Sequence, residues 1–174
     1  LRSSPSSFYC LQQQLRFLDR YVKELNSQRV RVMEPLFHLS IPVDDLDLAK
    51  AFYVKTLGCA IGRETRGRFD INFFGHHIVA HLAPDQAGQN AGTIPSDGAT
   101  SPLRHFGVVL DPDAWEEMKS RLEAAKVDWV LTPRISFAGK PAEQRIMQCQ
   151  DGVGNIVEFK GQARERVFAT DTPV

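Results

Sequence analysis

Two short stretches of the chain alternate between apolar and polar positions in the same way. The first is LFHLSIPVDD at 36–45, and the second is LRHFGVVLDP at 103–112. Each has a histidine as its third residue and an aspartate after its apolar run. Successive side chains of a β-strand point to opposite faces of the sheet, so each stretch predicts a strand with one apolar face and a histidine on the other.

The similarity continues beyond these two strands. A shift of 67 residues superposes His38 on His105, and both strands lead into apolar residues at helical spacing, in 44–58 and 111–127. Two strand-like segments and a final strand preceded by glycine complete each copy. An internal repeat of this kind indicates two modules of the same topology.

The ends of the two copies superpose with a larger shift. A shift of 77 residues places Gly75 on Gly152 and His81 on Glu158. The second copy is therefore longer than the first. We place its extra residues in the polar loop 133–144, which we interpret as a lid over the site or a plain surface loop.

The repeat predicts an α+β fold made of tandem βαβββ modules. Their mixed sheets would form a concave cup of strands with the helices outside. We divide the chain into an N-terminal extension at 1–34, a first module at 35–82, a linker at 83–102, a second module at 103–161 and a C-terminal tail at 162–174.

The N-terminal extension allows two interpretations. Its leucines and Val22 recur at helical spacing, which predicts a helix packed on the domain or on a partner. Its arginines also suit an organelle transit peptide. Alternatively, Met33 is the natural start of the protein and the residues before it are an artefact. Both interpretations place the chemistry after this segment.

Composition narrows the classes of partner. The chain has 174 residues, with 21 basic and 21 acidic side chains, so no net field attracts nucleic acid or an anionic membrane. No apolar run approaches the roughly 18 residues of a membrane span. The three cysteines form no CxxC pair, which fits a reducing compartment. We expect a cytoplasmic protein, or an imported organellar one if the extension is a transit peptide.

Four side chains of the kinds that bind metals lie on the polar faces of the predicted strands. They are His38, His81, His105 and Glu158. Solvated strand faces would not explain why such residues recur at equivalent positions of a repeat. Equivalent positions lie around a pseudo-twofold axis, where side chains can converge, and imidazole and carboxylate groups suit a borderline divalent metal. The sequence therefore predicts a metal site in the cup.

Paired βαβββ modules with these residues resemble the vicinal oxygen chelate superfamily. The resemblance covers 35–161 and rests on histidine in each first strand and glutamate in NIVEFKG. The motifs FHLSIPVDDL, INFFGHHIVAHL and HFGVVLDPD resemble most a group of extradiol-type dioxygenases. This superfamily also includes glyoxalase I and the fosfomycin and bleomycin resistance proteins.

The resemblance implies Fe(II) held by His38, His105 and Glu158, the 2-His-1-carboxylate set of non-haem iron oxygenases. The implied enzyme cleaves or oxidises a small catechol- or enediol-like substrate with O2. Zn, Ni, Mn or Co would instead suit a glyoxalase-like isomerase or lyase, and a metal-free binding protein is the third alternative. Since many relatives pair their modules across chains, the resemblance also allows a homodimer.

The resemblance and the strand pattern suggest roles for further residues. His81 is either a fourth ligand or an acid–base group, and His77 and Tyr53 are further catalytic candidates. Candidate substrate contacts lie on the strands and in the long loop: Ser40, Asp70, Asn72, Arg134, Phe137 and Lys140.

Overall fold

The fold is given by a computed structural model that describes residues 35–90 and 92–169. The predicted helix or targeting segment at 1–34 lies outside the described residues, so its two interpretations stay open. Within the part of the chain that is described, no helix is long and apolar enough to cross a membrane.

The first module has four strands and a helix, α1, that continues as a π-helix at Ala51–Thr56. The bounds are β1 His38–Val43, α1 Leu46–Lys50, β2 Ala60–Thr65, β3 Arg68–Phe73 and β4 His76–Leu82. The strand order is β1-β4-β3-β2, with β1 parallel to β4 and the other pairs antiparallel. The Asp45 carboxylate caps α1 by accepting hydrogen bonds from two of its first backbone N–H groups.

The linker between the modules folds into a hairpin of β5 Thr93–Ser96 and β6 Ala99–Pro102. Asp97 and Gly98 form its turn, and both have positive φ, at 48° and 73°. An Asp-Gly pair is a strong signal for such a two-residue turn because it tolerates this backbone conformation. The linker is therefore more structured than its loop-like composition suggests.

The second module repeats the topology of the first. The bounds are β7 Phe106–Leu110, α2 Pro112–Ala125, β8 Trp129–Ser136, β9 Gln144–Gln150 and β10 Ile156–Gly161. The order is β7-β10-β9-β8, with β7 parallel to β10. A short helix, α3 Arg164–Val167, follows in the tail. The predicted α+β fold of tandem βαβββ modules is confirmed.

One apolar core joins the two modules. It contains one face of each sheet and the apolar sides of α1 and α2, for example Ile41, Val157 and Trp115. The hydroxyl of Tyr53, after α1, donates a hydrogen bond of 2.7 Å to Asp151 of the second module. The alternation predicted for β1 is confirmed, because Ile41 and Val43 are buried while His38 and Ser40 are exposed. The polar faces thus lie opposite the helices.

Gly107 lies where β7 passes very close to β10. Its register partner is Glu158, and a Cβ on Gly107 would lie 1.7 Å from the Glu158 carbonyl oxygen. That oxygen belongs to the backbone, so the two strands would have to separate to admit any side chain. Glycine at this position therefore helps to fix where Glu158 lies.

We predict that Gly107→Ala lowers the free energy of unfolding by about 1–3 kcal/mol, because it overpacks the contact between β7 and β10. Gly67→Ala is a matched control, since a Cβ there meets nothing within 4 Å. Urea denaturation of both variants measures the effect. Equal stability of Gly107→Ala and the unsubstituted protein would contradict this account of the strand contact.

Candidate metal centre

His105 and Glu158 form a close pair on the polar face of the second module. His105 directly precedes β7, and Glu158 lies in β10 next to it. The ring Nδ1 of His105 lies 2.6 Å from the Pro102 carbonyl oxygen, which can only accept, so Nδ1 carries a proton. In the neutral ring the bare nitrogen is then Nε2, and it lies 3.5 Å from Glu158 Oε2.

A buried amide holds the other oxygen of Glu158. Gln148 Nε2 donates a hydrogen bond of 3.0 Å to Glu158 Oε1, and Gln148 is only 1% exposed. The Ser101 hydroxyl donates to Gln148 Oε1 at 3.0 Å. Ser101 and Pro102 both belong to β6, so the linker hairpin supports both His105 and Glu158.

These contacts change the ionisation of both groups. The hydrogen bond to Glu158 raises the pKa of His105 above its ordinary value, against the effect of burial. Burial acts to raise the pKa of Glu158, but His105, Lys160 and Gln148 together outweigh it, so this pKa lies below its usual range. Glu158 is therefore a carboxylate at neutral pH. A carboxylate oxygen beside a bare imidazole nitrogen is a donor set that fits a divalent transition metal.

The first module carries a separate polar cluster. Nδ1 of His38 lies 2.9 Å from Nδ1 of His77, its register partner on β4. The other nitrogen of His77 lies 3.4 Å from the carboxylate of Asp70, which is only 6% exposed. A hydrogen bond from Arg63 lowers the pKa of Asp70, with a smaller contribution from His77. The catalytic candidate His77 thus lies on β4 beside His38.

The predicted ligand set is not complete within one copy of the chain. Among residues 35–90 and 92–169, no three His, Cys, Asp or Glu residues lie close enough to hold one ion. His105 and Glu158 are together, and His38 lies with His77 instead. The structure therefore shows two separate polar clusters, His105 with Glu158 on the second module and His38 with His77 and Asp70 on the first.

The register of the strands corrects the predicted equivalence of His81 and Glu158. Glu158 pairs with Gly107 in the second module, and Val79 pairs with Ser40 in the first. Ser40 and Gly107 are equivalent positions of the repeat, so Val79 is the counterpart of Glu158. The prediction was wrong by two residues because the turn after Gly152 is longer than the turn after Gly75. His81 corresponds to Lys160.

The structure also corrects the assignment of Tyr53 as a catalytic group. Its side chain is fully buried in the core, and its hydroxyl is engaged by Asp151. Burial and this contact raise the pKa of the phenol well above its ordinary value. Tyr53 is therefore a structural residue, and its helical position was a core signal.

The candidate substrate contacts on the strands line two different cavities. Ser40 lines a cavity of about 410 Å³ together with His105. Asp70 and Asn72 line another, of about 440 Å³, together with His77. The Asn72 side chain also accepts a hydrogen bond from the backbone of Gly75 and so holds the turn before β4.

The predicted loop at 133–144 is shorter in the structure, because β8 extends to Ser136, so Arg134 lies in a strand and only Phe137 and Lys140 lie in the loop. Arg134 is held by Asp97, through the backbone oxygen at 2.9 Å and the carboxylate at 3.3 Å. Lys140 lies over the Phe137 ring, with Nζ 5.8 Å from the centroid. Phe137 lines a cavity of about 350 Å³ together with Lys160. Of the three, Phe137 is the one that shares a cavity with a neighbour of Glu158.

Lys160 is a site residue that the sequence analysis missed. Its Nζ lies 3.7 Å from Glu158 Oε2. The signal was present, because residues two apart in a strand share a face, and NIVEFKG places Lys160 two residues after Glu158.

Comparison with protein families identifies the superfamily. Residues 35–159 match the family model described as glyoxalase/bleomycin resistance protein/dioxygenase superfamily. The chain belongs to this superfamily. The resemblance to the vicinal oxygen chelate proteins is thereby confirmed. No curated protein matches the chain in sequence.

Several solved structures are similar to this fold. A glyoxalase/bleomycin resistance protein/dioxygenase from Alicyclobacillus acidocaldarius is 28% identical, with a TM-score of 0.66 over 80% of this chain and 100% of that one. Lactoylglutathione lyase from Agrobacterium tumefaciens is 20% identical, with a TM-score of 0.55 over 80% and 99%. A mutant fosfomycin resistance protein from Listeria monocytogenes, complexed with Mn(II) and 1S,2S-dihydroxypropylphosphonic acid, is 14% identical, with a TM-score of 0.56 over 79% and 98%.

We predict that Glu158→Gln lowers the pKa of His105 in the metal-free protein, because the amide no longer stabilises the imidazolium. In the unsubstituted protein, the stabilisation from this pair is fully present between the ordinary pKa of glutamate and the ordinary pKa of histidine, and it is lost at acid pH as Glu158 is protonated. It is also lost as the pH rises through the raised pKa of His105. NMR titration of the histidine ring protons measures the shift, with His76 as an internal reference. An unchanged His105 pKa in Glu158→Gln would contradict the pairing.

Proposed function

We propose that the chain is a divalent-metal enzyme that binds a small substrate through two neighbouring oxygens. The observation that carries this proposal is the pair of His105 Nε2 and Glu158 Oε2, which lie 3.5 Å apart. Each of these two side chains is held by a second group. His105 Nδ1 donates a hydrogen bond to the Pro102 carbonyl, and Glu158 accepts one from the Gln148 amide. Metal-binding histidines characteristically donate their other N–H to such a carbonyl, which sets the tautomer and the ring orientation.

We infer that the third ligand, His38, comes from a second copy of the chain in a homodimer. His38 is exposed, and it lies on β1, an edge strand of its sheet. Large apolar side chains next to both polar clusters are exposed as well, with Phe37 at 56% and Leu103 at 56%. A twofold dimer would bring each first module against the second module of its partner and form two equivalent sites.

For the reaction, we propose an extradiol-type dioxygenase that uses Fe(II) and O2. The counterpart of Glu158 in the first module is Val79, which offers no fourth ligand. A set of two histidines and one carboxylate is characteristic of non-haem iron oxygenases. When bound, the iron would supply the redox coupling between a chelated catechol or enediol and oxygen.

Within this proposal, a substrate hydroxyl replaces His38 at Nδ1 of His77, and this nitrogen accepts the hydroxyl proton. The ring of His77 contacts His38, and Asp70 holds its other nitrogen, so it is better placed for this role than His81. A neutral imidazole near the metal is a suitable general base. A glyoxalase-like isomerase would use Zn, Ni, Mn or Co without oxygen, and a metal-free binding protein would need none of the three ligands.

The proposed reaction predicts oxygen consumption. Protein purified without oxygen and loaded with Fe(II) should take up O2 when catechol is added, as measured with an oxygen electrode. Glu158→Gln should reduce the rate by more than the roughly 10- to 100-fold that loss of an outer-shell partner costs. The exposed Glu117→Gln is the control. Equal rates in Glu158→Gln would contradict the proposal, and turnover of an α-ketoaldehyde with a thiol and Zn or Ni would favour the isomerase.

The shared site predicts complementation between variants. His38→Ala and His105→Ala should each bind no metal as homodimers, since every site lacks a ligand. After subunit exchange, half of the dimers combine both variants and contain one intact site, so metal should rise to about a quarter of an ion per chain. Elemental analysis after gel filtration measures this. Zero metal in the mixture, from an unsubstituted protein that binds metal, would contradict the shared site.

A further inference from the structure

Lys160 lies between the candidate metal centre and a cavity. The cavity has a volume of about 350 Å³ and is lined by Val109, Phe137, Pro141, Gln162 and Arg166, among others. The side chain of Lys160 is 37% exposed, and its Nζ lies 3.7 Å from Glu158 Oε2. One ammonium group therefore faces both the ligand carboxylate and an open volume that could hold part of a substrate.

Other cations near this region already have hydrogen-bond or ion-pair partners. Arg134 is held by Asp97, and Arg145 is paired with Glu116 at 3.3 Å. Arg166 donates to the Pro141 carbonyl at the wall of the cavity. Among the described residues, Lys160 is the one lysine or arginine in an ion pair with Glu158. It is therefore the cation best placed to meet a substrate held at that carboxylate.

Phe137 gives the same cavity an aromatic wall. Its φ is 55°, a left-handed conformation that is uncommon for an aromatic residue. The backbone N–H of Phe137 donates a hydrogen bond of 2.8 Å to Asp97 in the hairpin turn, which holds this conformation. Such conformations concentrate at functional sites because the surrounding structure must maintain them.

We propose that Lys160 binds an oxyanion of the substrate in this cavity, a carboxylate or a phosphonate, while Phe137 contacts the apolar part of the molecule. This inference rests on the proposed function, which places the two neighbouring substrate oxygens next to Glu158. With a divalent ion, the −1 charge of Glu158 and the +1 charge of Lys160 leave a net positive site. A substrate that chelates as an anion and carries a second negative group would balance that charge.

The oxyanion site can be tested with three small probes on the purified full chain. Benzoate and phenylphosphonate carry the two oxyanions, and benzamide is the neutral counterpart of benzoate. We expect benzamide to bind about 10- to 100-fold more weakly than the better of the two anions, the usual effect of a charge-assisted hydrogen bond. Chemical shift changes in labelled protein give the affinities. The tighter of the two anions identifies the substrate class.

Variants connect this preference to Lys160. Lys160→Met should remove the preference for the anion, and Lys160→Arg should keep most of it. Lys119→Met, on the surface of α2, is the matched control and should change nothing. Anion binding that is as tight in Lys160→Met as in the unsubstituted protein would overturn the inference, and so would benzamide binding that equals that of both anions.

A separate measurement distinguishes failure of this inference from failure of the proposed function. Catechol affinity with and without added Mn²⁺ reports on the vicinal-oxygen site alone. Metal-dependent catechol binding without an anion preference would leave the proposed function standing and reject the role of Lys160. The opposite result is an anion preference that depends on Lys160 together with a catechol affinity that does not change when Mn²⁺ is added. This result would keep the oxyanion site and reject the metal chemistry.

Discussion

The carboxylate of Glu158 must stay ionised while its side chain is only 12% exposed, and the site depends on how this is achieved. Burial alone would favour the neutral acid. Gln148, His105 and Lys160 each contribute a donor or a positive charge, and together they lower its pKa. Because Gln148 is itself held by Ser101, the linker hairpin is part of this arrangement. A segment that connects two modules thus also supports a candidate metal ligand.

The repeat relates the two polar clusters. Both modules have the same strand order, and each has a histidine at an edge strand, His38 as the first residue of β1 and His105 just before β7. The neighbouring strands differ, because the position that carries Glu158 in one module carries Val79 in the other. In the first module, Asp70 and His77 lie near His38 instead. In this arrangement Asp70 holds His77, the proposed proton acceptor. In the proposed dimer, the second module of one copy supplies two metal ligands, and the first module of the other copy supplies the third ligand together with the proposed acid–base group.

Much of the fold and part of the site could be predicted from the sequence. The alternation of apolar and polar residues in β1 and β10 identified the polar faces of these strands, because this periodicity depends only on the local sequence. The counterpart of Glu158 in the first module, Val79, could not be predicted, because register depends on the length of a turn and on hydrogen bonds between distant strands. The partnership of His38 with His77 depends on the same pairing. Lys160 could have been found from alternation alone.

Elemental analysis of protein purified without oxygen tests the central claim most directly, that His105 and Glu158 belong to a metal site. The unsubstituted protein should retain about one divalent ion per chain, as expected for a built site with outer-shell support. Glu158→Gln should retain almost none while its circular dichroism spectrum stays the same. Iron as the retained metal would agree with the proposed dioxygenase. A metal-free protein, or equal metal in the folded Glu158→Gln variant, would contradict the account.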